Sequence, residues 1–255
     1  MAESQSSVSD VGRSPFPETA DIETSTDRYA TRFAGATGEW MLAVQERITL
    51  GFLRDTGARS VLDVGGGHGQ LALPIVREGY EPTVLGSAPE CVRRIADAVA
   101  AGRCRFVVGN VLALPFPDRA FDCAISFRLL THCSDWPALI AELCRVSRHT
   151  VIVDYPTRTS LNVIAPMLFE TKQRIESNVR HWTLFRHAQV TDAFARNGFR
   201  RDRKTNQFFL PMVLHRAMKR RAASVALEAA CRATGLTALA GSPTIVRMRR
   251  AASSS

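Results

Sequence analysis

Short apolar runs of three to six residues recur through the middle of the chain, at Ser60–Val64, Thr83–Leu85, Arg105–Val108, Phe121–Ser126 and Val151–Val153. Each is rich in Val, Leu, Ile or Phe and too short for a helix, so each predicts a buried strand. Between and around them lie segments with helical periodicity: Glu39–Arg54, Leu71–Arg77, Pro89–Ala100, Trp136–Val146 and Ala188–Asn197. The last of these ends at Gly198, a residue type suited to closing a helix. An extended stretch follows from Phe199 to Leu210, then a helical segment at His215–Thr234 and a final strand at Thr244–Met248. Apolar runs that alternate with amphipathic helices predict βα units around a mostly parallel sheet covered on both faces.

Residues 1–26 are rich in Ser, Thr, Glu and Pro and poor in apolar side chains, which predicts a disordered arm. Residues 251–255 read as a frayed tail. Neither a repeat nor a linker interrupts residues 27–250, so a single domain is expected there. Composition changes little: 255 residues, 45% apolar and 22% charged, with a mean hydropathy of −0.05, are ordinary for a globular protein and exclude a collagen-like or disulfide-rich chain. No apolar run approaches the roughly 20 residues that span a bilayer, and the first 25 residues show no signal-peptide core. A cytoplasmic protein is the expectation. The six cysteines show no ligand spacing, so they read as small buried thiols and no metal is expected.

Charge adds one question. The net charge of +9 is concentrated at the end, where residues 201–255 carry eleven basic side chains against Asp202 and Glu228. Such an end suits a nucleic acid, an anionic membrane surface or simply a solvated face. All but three of the basic residues are arginines, which also fits a compositional bias.

The strongest chemical signal is Ser60-Val-Leu-Asp-Val-Gly-Gly-Gly-His-Gly69, a strand running into a glycine turn and then a helix. Glycines let a backbone turn sharply and approach a ligand closely, and the following helix offers free N–H groups. A dinucleotide loop needs Gly-x-Gly-x-x-Gly, but its third glycine would fall at Gln70. Asp63, two residues before Gly65, would repel a pyrophosphate and suits an ammonium group. A ligand with an ammonium, a ribose and an adenine is S-adenosylmethionine.

Val61–Gly69 resembles motif I of the class I S-adenosylmethionine-dependent methyltransferases. Further motifs follow in order. Gly109–Asp122, which contains Leu114-Pro-Phe-Pro-Asp118, is similar to a stretch of the ubiquinone/menaquinone methyltransferase-like (type 11) group. Ser126–Trp136 resembles that group's segment after the fourth strand, and Glu142-Leu-Cys-Arg-Val146 its next helix. The resemblance covers residues 60–154. It implies a Rossmann-like seven-stranded sheet, mostly parallel with an antiparallel last strand and helices on both faces. It also implies that residues 27–56 form a helical cover, 57–155 a cofactor-binding core, and 156–187 and 211–240 substrate-side insertions.

The cofactor would be S-adenosylmethionine, leaving as S-adenosylhomocysteine. Its binding residues would be Asp63, Gly65, Gly66, Gly67, Gly69, Ser87, Asn110, Val111 and Phe127, with Arg32 for its carboxylate. Two positions depart from the family: Ser87 stands where an acid usually holds the ribose, and Asn110 where an Asp usually meets the adenine. Candidate bases are His132, after the fourth strand, and His181 and His187, which flank Trp182 and Phe185.

The implied reaction is in-line methyl transfer to oxygen or carbon of a small-molecule acceptor. An RNA methyltransferase is the alternative drawn from the basic end, although Ser126-Phe-Arg-Leu129 is not the Pro-Pro motif of amino-group nucleic-acid enzymes. A catalytically inactive cofactor-binding or regulatory domain is the alternative drawn from Ser87 and Asn110. The Arg216/Lys219/Arg220/Arg221 cluster, beside Met212, Leu214 and Met218, suits peripheral membrane contact or an ordinary packed helix. Oligomeric state is not legible.

Overall fold

The computed structural model describes residues 15–160 and 182–252. Its strands are β1 (Ser60–Val64), β2 (Glu81–Gly86), β3 (Arg105–Val108), β4 (Phe121–Ser126), β5 (Ser147–Tyr155), β6 (Phe199–Phe208) and β7 (Ser242–Arg250). Among the described residues they form one seven-stranded sheet in the order β3-β2-β1-β4-β5-β7-β6. Strands β1 to β5 pair in parallel, and β7 runs antiparallel to both neighbours, β5 and β6. This is the sheet that the resemblance implies.

Helices cover both faces. They are α1 (Ala20–Thr24), α2 (Asp27–Ala30), α3 (Gly35–Leu53), α4 (Ala72–Arg77), α5 (Ala96–Ala100), α6 (Trp136–Val146), α7 (His187–Arg196), α8 (Met212–Met218), α9 (Arg221–Ala233) and α10 (Leu236–Ala240). Successive strand residues point to opposite faces, which makes the apolar runs continuous rather than alternating. Val61, Cys123, Ile125, Ile152 and Ile245 pack with Leu50, Leu53 and Ile75 of α3 and α4. Leu62, Ala124, Val151, Val153 and Val246 pack with Leu139 and Leu143 of α6 and Phe194 of α7.

Two of the resembling motifs have a mechanical role. Glu142 accepts the Leu114 N–H at 2.6 Å, while Arg145 donates to the Leu114 and Phe116 carbonyls and to Asp118 at 2.8–2.9 Å. The two side chains also pair with each other at 2.7 Å. Helix α6 thereby clamps the Leu-Pro-Phe-Pro-Asp loop, which has no sheet ladder of its own to satisfy its backbone.

Three expectations are corrected. Residues 15–26, assigned to a disordered arm, contain α1, whose Ala20 and Asp21 are buried; hydrogen bonds rather than an apolar stripe anchor it. Pro89–Ala100 is a 3₁₀ segment at Pro89–Ile95 followed by α5. The helix expected at His215–Thr234 is broken between α8 and α9, where Lys219 takes a left-handed φ of 53°. Among the described residues no helix is long and apolar enough to cross a membrane.

Candidate active site

The turn after β1 depends on two glycines. Gly65 and Gly69 have φ of 77° and 75°, in the region that side chains disfavour, and they flank a 3₁₀ turn at Gly66–His68. The Gly65 N–H donates to the Leu85 carbonyl at 2.8 Å, so the loop is anchored to β2. A cavity of about 20 Å³ lies against it, lined by Asp63, Gly65, Gly66, His68, Gln70 and Arg128 among others. Thr24 and Phe127 also reach this cavity.

Asp63 is 2% exposed, and burial pushes its carboxyl up to about 7, a rise that the Arg128 guanidinium partly opposes. The side chain of Arg128 was not singled out by the sequence, yet it organises the site. It is a non-glycine residue with φ of 60°, immediately after Phe127. Backbone strain of this kind persists only where the surroundings hold it. Here its N–H donates to Asp154 Oδ1 at 2.6 Å, and its guanidinium lies 5.2 Å and 5.6 Å from the Phe33 and Tyr29 ring centres. Its Nη2 donates to Gln70, Gln70 donates to Gln45, and Gln45 donates to Asp154 Oδ2 at 3.3 Å. The four side chains close a ring that joins β5, α3 and the glycine loop. Arg128 Nη1 is buried and, among the described residues, has no hydrogen-bond partner.

His68 sits edge-on to Tyr29 and Phe33, with ring centres 5.7 Å and 6.2 Å away. Burial lowers its pKa to about 3, with Arg128 and Arg94 adding repulsion, so the ring stays neutral. Neither ring nitrogen has a partner among the described residues. Burial likewise raises Asp154 to about 6.

The structure brings Asp63, Gly65, Gly66 and Phe127 together at the cavity, and places Gly67 and Gly69 in the same loop. Val111 is fully buried beside this region, and Asn110 Oδ1 accepts the Leu112 N–H at 2.9 Å within its own turn. Ser87 is fully buried and donates to Asp21 of α1: its N–H at 2.6 Å, and its hydroxyl as well. Arg32 pairs with Glu23 at 3.5 Å on the surface, and the arginine that borders the cavity is Arg128.

Of the candidate bases, His132 lies in a short turn after β4, stacked edge-on to Trp182 at 5.1 Å. His187 contacts Tyr155 Oη through Nδ1 and Arg201 through Nε2, so both ring nitrogens are engaged. His181 lies outside the described residues. A left-handed φ at an arginine and a ring of hydrogen bonds leave no periodic signature, which is why Arg128, Gln45 and Gln70 were missed. The Asp21–Ser87 contact was missed for the same reason. Among the described residues no group of three His, Cys, Asp or Glu side chains is placed to hold a metal.

A glycine turn after β1 at the carboxyl ends of a sheet in this strand order defines the class I methyltransferase architecture. Comparison with known proteins agrees. Residues 61–150 match a family described as a methyltransferase domain. A malonyl-[acyl-carrier protein] O-methyltransferase of Serratia marcescens is 31% identical over 134 residues, covering 50% of this chain and 51% of the relative. Ajmaline N-methyltransferase of Rauvolfia serpentina is 31% identical over 137 residues, 49% and 46% of the two chains. The chain thus spans about half the length of these curated relatives. Magnesium protoporphyrin IX methyltransferase of Synechocystis PCC 6803, solved with bound SAH, superposes with a TM-score of 0.60 at 14% identity, covering 90% of this chain and 96% of that one. The [4+2]-cyclase SpnF superposes with a TM-score of 0.54 at 22% identity, covering 81% and 80%. Residues 61–150 are thus similar in sequence to methyltransferase domains, and the chain shares the fold of the class I S-adenosylmethionine-dependent methyltransferases.

Proposed function

We propose that this chain binds S-adenosylmethionine and transfers its methyl group to oxygen or carbon of a small-molecule acceptor. One observation carries the cofactor assignment. Asp63, a buried acceptor, and Arg128, whose buried Nη1 has no partner among the described residues, border the same glycine-floored cavity. An α-amino acid end, with an ammonium and a carboxylate, satisfies both groups, whereas a pyrophosphate would meet Asp63 as a like charge. The residues present therefore fit the amino-acid end of this cofactor.

When bound, the cofactor supplies a methyl group already activated on a sulfonium. The chain's contribution is then alignment and exclusion of water, a source of roughly 7 kcal/mol or more of barrier reduction. The glycine loop lets the backbone approach, the Gln45–Gln70–Arg128–Asp154 ring fixes the guanidinium, and Tyr29 and Phe33 shield it from solvent. His132 is the residue we assign to proton removal from the acceptor.

The basic end argues against RNA as the acceptor. Arg203 and Arg247 pair with Asp55, Arg247 and Arg249 with Asp202, and Arg250 donates to the Cys144 and Ser147 carbonyls. Much of the charge that suggested a polyanion is thus spent within the fold. Four basic side chains remain at α8 and α9 (Arg216, Lys219, Arg220 and Arg221), near the exposed Val213 and Leu214. They support a peripheral membrane contact, for which co-sedimentation with anionic vesicles is the check.

Calorimetric titration with S-adenosylhomocysteine tests the cofactor assignment. Micromolar binding is expected, and Asp63→Ala should weaken it by about ten- to hundredfold, the loss of one charge-assisted hydrogen bond. Binding that is indifferent to Asp63→Ala overturns the assignment. An acceptor screen with labelled cofactor then separates oxygen, carbon and nitrogen acceptors by the bond formed.

A further inference from the structure

Residues 20–25 touch three parts of the cleft at once. Ala20 is buried in the same apolar cluster as Val64, Leu85, Val111 and Leu129. Asp21, 1% exposed, accepts the Ser87 N–H at 2.6 Å and the Ser87 hydroxyl, with the Cys91 thiol at 3.5 Å. A Cβ built on Gly65 would stand 3.6 Å from Asp21 Cβ, and one built on Gly67 would stand 2.5 Å from Ser25 Oγ. The space that these glycines leave open is therefore shared: the N-terminal segment occupies it together with Leu129 beside Gly65 and the Cys91 backbone beside Gly67.

On the cofactor reading above, Ser87 stands at the position that meets the ribose, and Gly65 borders the cavity that holds the amino-acid end. Two groups cannot fill that space together. The Ser87 N–H and hydroxyl, which now hold a carboxylate, would equally serve a ribose oxygen. Among the described residues Asp21 has no cationic partner. A buried carboxylate without a cation is costly to keep unless its hydrogen bonds hold, so the contact is poised for exchange.

We propose that residues 20–25 are an intramolecular competitor for the nucleoside end of the cofactor cleft, latched by Asp21 on Ser87 and expelled when the cofactor binds. This inference rests on the cofactor reading above. The apparent affinity is then the intrinsic affinity reduced by the fraction of molecules whose segment is out of the cleft. The segment leads into α2, where Asp27 pairs with Arg94 at 2.7 Å and Tyr29 lies over Arg128.

The test uses the full chain with S-adenosylhomocysteine as the probe. Asp21→Ala, checked for folding by its thermal transition, should bind about tenfold more tightly than wild type, because the latch loses charge-assisted hydrogen bonds. Ser87→Ala, which leaves Asp21 in place but removes one of its donors, should also release the segment. Hydrogen exchange of amides 20–26 in wild type should speed up at saturating probe. Equal or weaker binding by folded Asp21→Ala, or slower exchange of those amides with probe, overturns the proposal while leaving wild-type binding intact. Absence of binding in both wild type and Asp21→Ala overturns the cofactor reading and this proposal with it.

Discussion

At the scale of single residues, Asp63 is the group whose protonation couples stability to ligand binding. Its carboxyl titrates near 7 in the folded chain and near 3.8 when unfolded, so the folded state holds the proton more tightly. The stability linked to that proton is complete below about pH 4 and is lost as pH rises through about 7. Asp63→Asn should therefore stabilise the cofactor-free protein at pH 8 by an amount on the order of 4 kcal/mol, and far less at pH 4.5. Thermal melts at the two pH values check this. The same charge is needed for an ammonium partner, so S-adenosylhomocysteine should bind more tightly at pH 8 than at pH 5.5, with proton release visible as a buffer-dependent heat. His132→Ala should lower kcat by about 10²–10⁴-fold if it is the general base, with loss of the acidic limb of the pH–rate profile. A merely orienting histidine would leave that limb in place.

At the scale of elements, the sequence was most legible where physics is periodic. The strands at Ser60–Val64 and Phe121–Ser126 have the predicted limits, because strands buried on both faces must read as apolar runs; the half-exposed edge strand Arg105–Val108 was legible from its β-branched and aromatic residues. The split of Pro89–Ala100 was not legible, since a 3₁₀ segment and an α-helix share nearly the same apolar spacing. Helix α1 was not legible, because it is anchored by Asp21 on Ser87 and Cys91 and by the single buried Ala20, with no stripe of apolar residues. Asp63 and the glycine loop were legible, since a charge inside an apolar strand is rare unless it is used. The remainder of the site is built from long-range pairs: Gln45 meets Asp154 across 109 residues of chain, and Asp21 meets Ser87 across 66. The same logic governs the α6 clamp. Arg145→Ala strands the carbonyls of the Leu114–Asp118 loop and should destabilise the fold by about 2–3 kcal/mol, measurable by urea titration with an unchanged m-value.

At the scale of the whole molecule, the late basic residues act as fasteners between distant parts. Arg247 on β7 is 2% exposed and ties Asp55, after α3, to Asp202 on β6, with a further hydrogen bond of 2.7 Å to the Phe52 carbonyl. Removal of one member of such a buried group leaves the others uncompensated, so Arg247→Ala should cost about 3–5 kcal/mol. An unaltered thermal transition would contradict this assignment of the charge. Strand order places β1 and the glycine loop that follows it, β1 places Asp63, and the polar ring places Arg128 at the same cavity. The fold that SpnF shares is compatible with more than one reaction, so the site rather than the architecture decides.

The most direct test of the central claim compares two ligands that differ only at the amino-acid end, S-adenosylhomocysteine and 5′-methylthioadenosine. Both are titrated into wild type, Asp63→Asn and Arg128→Met. The account predicts that wild type prefers S-adenosylhomocysteine, and that each substitution removes about tenfold or more of that preference while leaving methylthioadenosine binding nearly unchanged. A preference that survives both substitutions would contradict it.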